Sequence, residues 1–218
     1  MKNKIILLLL GLSFITSLYA KDSGFYVGGL IGRSITKDSG KEAFTATNIN
    51  SGYSQNIKNV DLVYGGLLGY DQYFDNLLVG LEVGGYKVDS DEKIDTQAGG
   101  AFPWKYKSKI NKVTSLKVRL GYLINEENLF YVSFGKAKAD ITRKIYDTNG
   151  TTLLRKLDGS VDGKLYGLGV EHFLENNLSI QVDLTRIEYD QEVFRVQDKT
   201  EYQDLSENTL TLSFKYKF

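Results

Sequence analysis

Cysteine is missing from this 218-residue chain, and proline, tryptophan and histidine occur once each. Without cysteine no disulfide can staple the fold, so stability has to come from a hydrogen-bond ladder and from apolar burial. After the first fifteen residues no apolar run approaches the 18 residues that a helix needs to cross a bilayer. Neither sign of charge dominates. Lys plus Arg and Asp plus Glu number 27 each, and removing Lys2 and Lys4 leaves 25 basic against 27 acidic. That balance excludes nucleic acid as a partner. Glycine (22), tyrosine (15) and phenylalanine (11) are plentiful, a β-rich composition.

The N-terminus reads as an export signal. Lys2 and Lys4 supply a positive start, Ile5–Ile15 is an apolar run too short to span as a helix, and Ala20 is the small residue at the expected cleavage point. Leu18, three places before the cut, is larger than usual there. Residues 1–20 are therefore expected to be a signal peptide and 21–218 a single barrel domain.

The last stretch carries the strongest period. Leu210, Leu212, Phe214, Tyr216 and Phe218 share one face of a strand, while Thr209, Thr211, Ser213, Lys215 and Lys217 share the other. Such a strand needs a partner along its edge. In a bilayer an open edge would leave N–H and C=O groups unsatisfied, so the first strand is expected to close against this one.

Seven earlier segments alternate in the same way: 24–36, 60–74, 77–88, 110–124, 129–141, 163–174 and 178–189. A bulge is expected at Gly84-Gly85. The connections run long, short, long, short, long, short, long. Lys37–Asn59, Asp89–Lys109, Thr142–Asp162 and Asp190–Ser206 read as polar loops, and Thr148-Asn149-Gly150 as a turn that extends a hairpin beyond the membrane. Asp75-Asn76, Asn125–Asn128 and Glu175–Asn177 read as tight turns. Short periplasmic turns, long outer loops and an even strand number describe a transmembrane barrel. The expected fold is all-β, an eight-stranded antiparallel up-and-down transmembrane β-barrel. Aromatics near the short turns (Phe25, Tyr70, Tyr73, Phe74, Tyr122, Phe130, Phe173, Tyr216, Phe218) read as an interfacial girdle.

Glu82, Lys117, Arg119, Glu171, Gln181 and Asp183 lie opposite the apolar rows of their strands. Alternation alone fits either orientation. If the apolar rows meet lipid, these residues fill the lumen, where buried charges must be paired. If the sheet faces water, they are a solvated surface.

The segments GFYVGGLIG (24–32), VGLEVG (79–84), LKVRLGYLI (116–124), YGLGVEHFLENNLSIQVDL (166–184) and LSFKYKF (212–218) resemble the outer-membrane β-barrel domain family, the small OmpA/OmpX-type and opacity-type barrels of Gram-negative bacteria. The resemblance implies that Glu171 and Arg119 hold inward network positions. It also implies that Phe214, Tyr216 and Phe218 form the C-terminal signal read by the barrel-assembly machinery, a transient partner. His172 departs from the family pattern, in which an aromatic is more usual. No periplasmic cell-wall-binding domain is expected after the barrel.

No catalytic residue, metal site or cofactor is expected. A serine–histidine–acid site needs its members within hydrogen-bond reach, and His172 lies near the periplasmic end on the apolar face, the opposite end from the sites of lipid-A-modifying barrels. Asp89, Asp91 and Glu92 lack the spacing of an EF-hand loop and read as a solvated loop. Trp104 reads as a girdle or loop-packing residue. The leading reading is a non-enzymatic, monomeric surface barrel of the outer membrane, surrounded by lipid and lipopolysaccharide, with four outer loops offered to host or envelope ligands. The alternatives are a narrow porin-like channel and a soluble lipocalin-like barrel.

Overall fold

The computed structural model describes residues 23–90, 94–96, 105–174, 177–196 and 199–218. The signal segment 1–20, Asp91, Glu92 and Trp104 lie outside them. Among the described residues ten strands follow one another: β1 (Gly24–Phe44), β2 (Asn50–Phe74), β3 (Leu77–Asp89), β4 (Ile94–Thr96), β5 (Lys105–Asn125), β6 (Asn128–Tyr146), β7 (Leu153–Phe173), β8 (Leu178–Tyr189), β9 (Glu192–Val196) and β10 (Lys199–Lys217). The eight long strands pair antiparallel, each with its neighbour in the chain. β1 then pairs with β10 in continuous register from Tyr26↔Lys217 to Phe44↔Lys199, and the ring is closed. Closure leaves no free edge at bilayer depth. β4 adds to β5 and β9 adds to the outer part of β10.

The alternation resolves with the apolar rows outward. Phe25, Val27 and Ile31 on β1, Leu116, Val118 and Leu120 on β5, and Leu168 and Val170 on β7 are all exposed. Their neighbours in sequence point into the ring. This is the reverse of a water-soluble barrel, where apolar side chains turn inward.

Three expectations need correction. The polar stretches 37–59, 142–162 and 190–206 are mostly strand: β1 and β2 are joined by Thr45–Ile49 alone, β6 and β7 by Asp147–Thr152, and 190–206 holds β9 and the start of β10. These extensions alternate between two kinds of polar residue, with Thr36, Asp38 and Glu42 inside and Lys37, Ser39 and Lys41 outside. They carry no hydrophobic period, yet the backbone ladder continues. Second, pairing runs through Gly84 and Gly85 without a bulge. The register shifts lie elsewhere, as between Ile110 and Lys112. Third, Tyr73 is not in the girdle. It points inward, is buried, and lies under the Lys217 ammonium at 4.6 Å, while Phe173 packs half-buried against the same inner cluster.

The inner turns are tight. Asp75 (φ 53°) and Asn177 (φ 63°) take the left-handed conformation that short polar side chains tolerate. At the tip between β6 and β7, Gly150 has φ 75°, and Asp147 accepts from the Thr151 amide at 2.9 Å.

Candidate functional site: two polar tiers in the barrel lumen

Eight strands leave an interior just wide enough for side chains. Here it is filled in four layers, the lowest an apolar cluster of Tyr73, Leu78, Leu123 and Leu129 beside the tight turns. Next to it is a charged tier to which all eight long strands contribute. Arg119 of β5 is at its centre and is fully buried. One guanidinium nitrogen lies 3.1 Å from Asp71 Oδ2 of β2 and the other 2.6 Å from Glu171 Oε2 of β7. The guanidinium also stacks on the ring of Tyr131 of β6, 4.1 Å from its centroid. Lys215 of β10 reaches Glu171 at 2.8 Å and lies over the Tyr26 ring of β1 at 3.7 Å. Glu82 of β3 accepts from the Tyr26 hydroxyl at 2.8 Å and pairs with Lys117 at 3.0 Å. Lys117 is also 3.4 Å from Asp183 of β8, which accepts from the Tyr131 hydroxyl and the Gln181 carboxamide. Ser179 donates to Glu171 at 2.6 Å.

Glu82, Lys117, Arg119, Glu171, Gln181 and Asp183 thus come together in one buried tier. Sequence reasoning missed Asp71, Tyr26 and Tyr131, although each shares the inward parity of its strand. The tier fits because Gly169 is bare. A Cβ there would overlap the Tyr131 ring.

Above this tier is an apolar plug of inward side chains: Ile110 and Val113 of β5, Ala137, Ala139 and Ile141 of β6, Val161 and Leu165 of β7, Ile187 and Tyr189 of β8, and Leu205 of β10. A small cavity of about 40 Å³ lies between plug and charged tier, bounded by Glu82, Lys117 and Asp183 below and by Leu165 and Ile187 above.

The outer tier stands beyond the apolar band. Arg143 Nε lies 3.0 Å from Asp38 Oδ2, and its Nη1 pairs with Glu192. Burial disfavours the Arg143 charge, but Asp38 and Glu192 outweigh it and hold the guanidinium protonated. Lower down, at the height of the plug and opposite Ile187, Glu207 accepts from the hydroxyls of Ser34 and Tyr189. Glu42 and Glu201 face each other across the β1–β10 seam. Burial, and after it the charge of Glu42, raises the Glu201 carboxyl above the usual carboxylate range. Burial also pushes the Tyr106 phenol up, so it remains a donor, 3.4 Å from Glu201.

Outside, just above the exposed apolar rows, lysines face one another on neighbouring strands: Lys37↔Lys58, Lys87↔Lys112 and Lys136↔Lys164. His172 lies exposed on an apolar row, its ring 3.0 Å from Asn128 Oδ1. Phe214, Tyr216 and Phe218 are exposed on the closing strand, with Tyr216 and Phe218 edge to face at 5.3 Å.

A closed ring with an apolar exterior, a polar interior and tight turns at one end is the architecture of outer-membrane barrels. The family described as outer membrane protein beta-barrel domain matches residues 5–218. The chain belongs to this family. Its place is the outer membrane. Among solved structures, the outer membrane protein OprG of Pseudomonas aeruginosa is similar at 14% identity and a TM-score of 0.54, over 93% of this chain and 99% of that one. The outer membrane protease OmpT of Escherichia coli is similar at 9% identity and a TM-score of 0.52, over the same shares of the two chains. At these identities the likeness is one of fold. No curated protein sequence matches the chain.

Proposed function

We propose that this outer-membrane barrel is a non-enzymatic, monomeric surface protein. It stiffens the envelope and carries recognition ribbons outside the cell. The observation that carries the reading is the extension of β1, β2, β6, β7 and β10 well past the apolar band, above a lumen filled by an apolar plug. A structure built for passage would leave the lumen open; one built for display invests its residues in paired ribbons beyond the bilayer. The exposed hairpin ends, 45–49 and 147–152, are the contact points for host or envelope ligands. The charged inner tier serves as the brace that ties all eight strands together.

The opposed lysine pairs belong to the same reading. Like charges directly opposite across a sheet repel. Lipopolysaccharide phosphates at the outer surface neutralise them, so reversing Lys37 and Lys58 to Glu weakens lipopolysaccharide retention on purification. Residues 1–20 are read as the removed export signal, which places Lys21 first in N-terminal sequencing of the mature protein. Phe214, Tyr216 and Phe218 are read as the signal for the barrel-assembly machinery. Deleting Phe218 then slows assembly, seen as unfolded protein on unboiled gels, far more than it alters any binding.

The decisive experiment removes both hairpin ends and measures surface attachment of cells alongside conductance in planar bilayers. Loss of attachment with a folded barrel and no conductance supports display. The second reading, a narrow channel for small solutes, is favoured by the charged lining of the lumen. It wins if the intact protein shows unitary conductance that changes in Glu171→Gln.

A further inference from the structure

One edge of the outer ribbons is left open. β6 and β7 stay paired as far as Tyr146↔Leu153, but β8 leaves β7 at Gly163↔Tyr189, and β9 then joins β10 instead. The Asp190 amide donates to the Asp162 carbonyl, the last backbone bond on that side among the described residues. Backbone groups alternate in direction along a strand, so the amides and carbonyls of Ser160, Asp158 and Lys156 point the same way as those of Asp162. Among the described residues no strand meets them there. Along residues 153–160 both faces of this arm are exposed, with Leu157 alone half-buried. Such an edge is a template for another strand.

The residues along the edge select its partner. Lys156 and Asp158 flank Leu157, and Arg155 and Gly159 flank them in turn. A second copy laid antiparallel about a twofold axis at Leu157 sets Lys156 opposite Asp158 of that copy and Asp158 opposite its Lys156. These are the positions whose backbone groups face the open edge, so they also exchange the hydrogen bonds. Opposite charges facing across a pair are favourable. Within one chain Lys156 reaches Asp158 at 2.7 Å, Thr142 donates to Asp158 at 2.8 Å, and Lys144 is directly opposite Lys156 on β6. Both members of the Lys156–Asp158 pair are more than half exposed, so the intrachain contact contributes little and is open to exchange. A second carboxylate beside Lys156 also offsets its repulsion from Lys144. Arg155 faces Gly159 of the second copy, where a Cβ would meet nothing within 4 Å.

We propose that residues 155–159 of β7 add antiparallel to the same residues of a second copy in a facing outer membrane, and so join two cells. This rests on the display reading above and names the partner of one ribbon. The choice of a facing membrane follows from strand direction. Copies in one membrane point the same way, so their arms meet in parallel, with Lys156 beside Lys156 and Asp158 beside Asp158. Antiparallel arms belong to barrels inverted relative to each other. The arm is long enough: Leu157 is seven residues beyond Lys164 of the lysine belt, about 23 Å along the strand, and two facing copies bridge about twice that. Each protein stays monomeric in its own membrane. A contact of this size is weak singly, and many copies acting together supply the hold.

The test uses the full mature protein in phosphatidylcholine vesicles of two dye colours, with heat-modifiable gel migration to confirm each variant as folded. Wild-type vesicles should clump, read as turbidity and as aggregates of mixed colour. Lys156→Asp sets acids against acids, and Asp158→Lys sets bases against bases; each should lower clumping about tenfold. Vesicles of the two variants, mixed, should clump again, because acids now face bases, and every aggregate should carry both colours. Three results overturn the proposal: wild-type vesicles that stay dispersed, either variant clumping alone at the wild-type level, or a mixture of the two that stays dispersed. Failure here is distinct from failure of the display reading. Wild-type protein that does not clump but attaches cells through its hairpin ends overturns the self-pairing alone, whereas protein that does neither overturns both.

Discussion

Below the apolar plug, four carboxylates (Asp71, Glu82, Glu171 and Asp183) meet three buried cations (Lys117, Arg119 and Lys215), with Tyr26, Tyr131 and Ser179 donating to the acids. Above it, the buried acids Asp38, Glu42 and Glu201 accompany the buried Arg143, with the Ser51, Ser108 and Tyr106 hydroxyls donating to them. The inner tier lies at bilayer depth, where water cannot solvate an isolated charge, so near-neutrality and bidentate contacts are required there. The outer tier stands among strands that have left the membrane. Water, protons and cations can reach it, and an excess of acid is tolerated. The same fold thus buries charge under two regimes, set by what lies outside the wall at each height.

The sharpest way to break this comparison is to remove the central cation of each tier. Arg119→Ala leaves Asp71 and Glu171 without their main partner inside the membrane. It should cost about 3–5 kcal/mol, read as a lowered urea midpoint for unfolding in lipid vesicles, or as failure to fold. Arg143→Ala removes the corresponding cation of the outer tier. Water reaches that tier, and the loss should be on the order of 2 kcal/mol in the same assay. Equal losses would mean that the two tiers do not differ in environment.

Packing gives an intermediate effect. Gly169→Val pushes the Tyr131 ring away from Arg119 and breaks its hydroxyl contact with Asp183. We expect about 1–3 kcal/mol of destabilisation in the urea assay. A larger side chain at Gly159, where a Cβ meets nothing within 4 Å, should leave the midpoint unchanged.

A smaller effect separates the tiers by pH. Burial first, and Glu42 second, raise the folded-state Glu201 carboxyl above its ordinary value. A group raised in this way binds its proton better folded than unfolded. Its contribution to stability is complete below the ordinary carboxylate range and is lost as pH rises through the raised value. Wild-type protein should therefore lose more stability than Glu201→Gln between about pH 4 and pH 8. Identical pH profiles would show that Glu201 does not titrate differently on folding. The smallest effect is at His172. His172→Ala should change folding by less than about 0.5 kcal/mol and alter no surface property, as befits an exposed interfacial residue.

The two tiers were unequally legible in the sequence. Arg119, Lys117 and Glu82 alternate with Leu, Val and Ile, so the apolar row beside them marks their face. Asp38, Glu42 and Glu201 alternate with Lys, Ser and Tyr. Inside and outside are both polar there, and no hydrophobic period distinguishes strand from loop. That is why 37–59, 142–162 and 190–206 read as loops although the ladder runs through most of each. Tyr73 shows the same limit in reverse: an aromatic next to a turn reads as a girdle residue, yet its parity with Asp71 turns it inward.

Strand parity, the tight turns at Asp75 and Asn125, and the alternation of 207–218 belong to the sequence itself, because a strand's side chains alternate whatever surrounds it. From them came the eight crossings, the antiparallel order and the membership of each face. Which face met lipid, and which acid met which base, required the closed ring. Tyr26 and Glu82, Arg119 and Glu171, and Glu42 and Glu201 are separated by 52 to 159 residues. They meet because closure fixes every register at once, and spacing along a chain carries no information about contacts across a lumen.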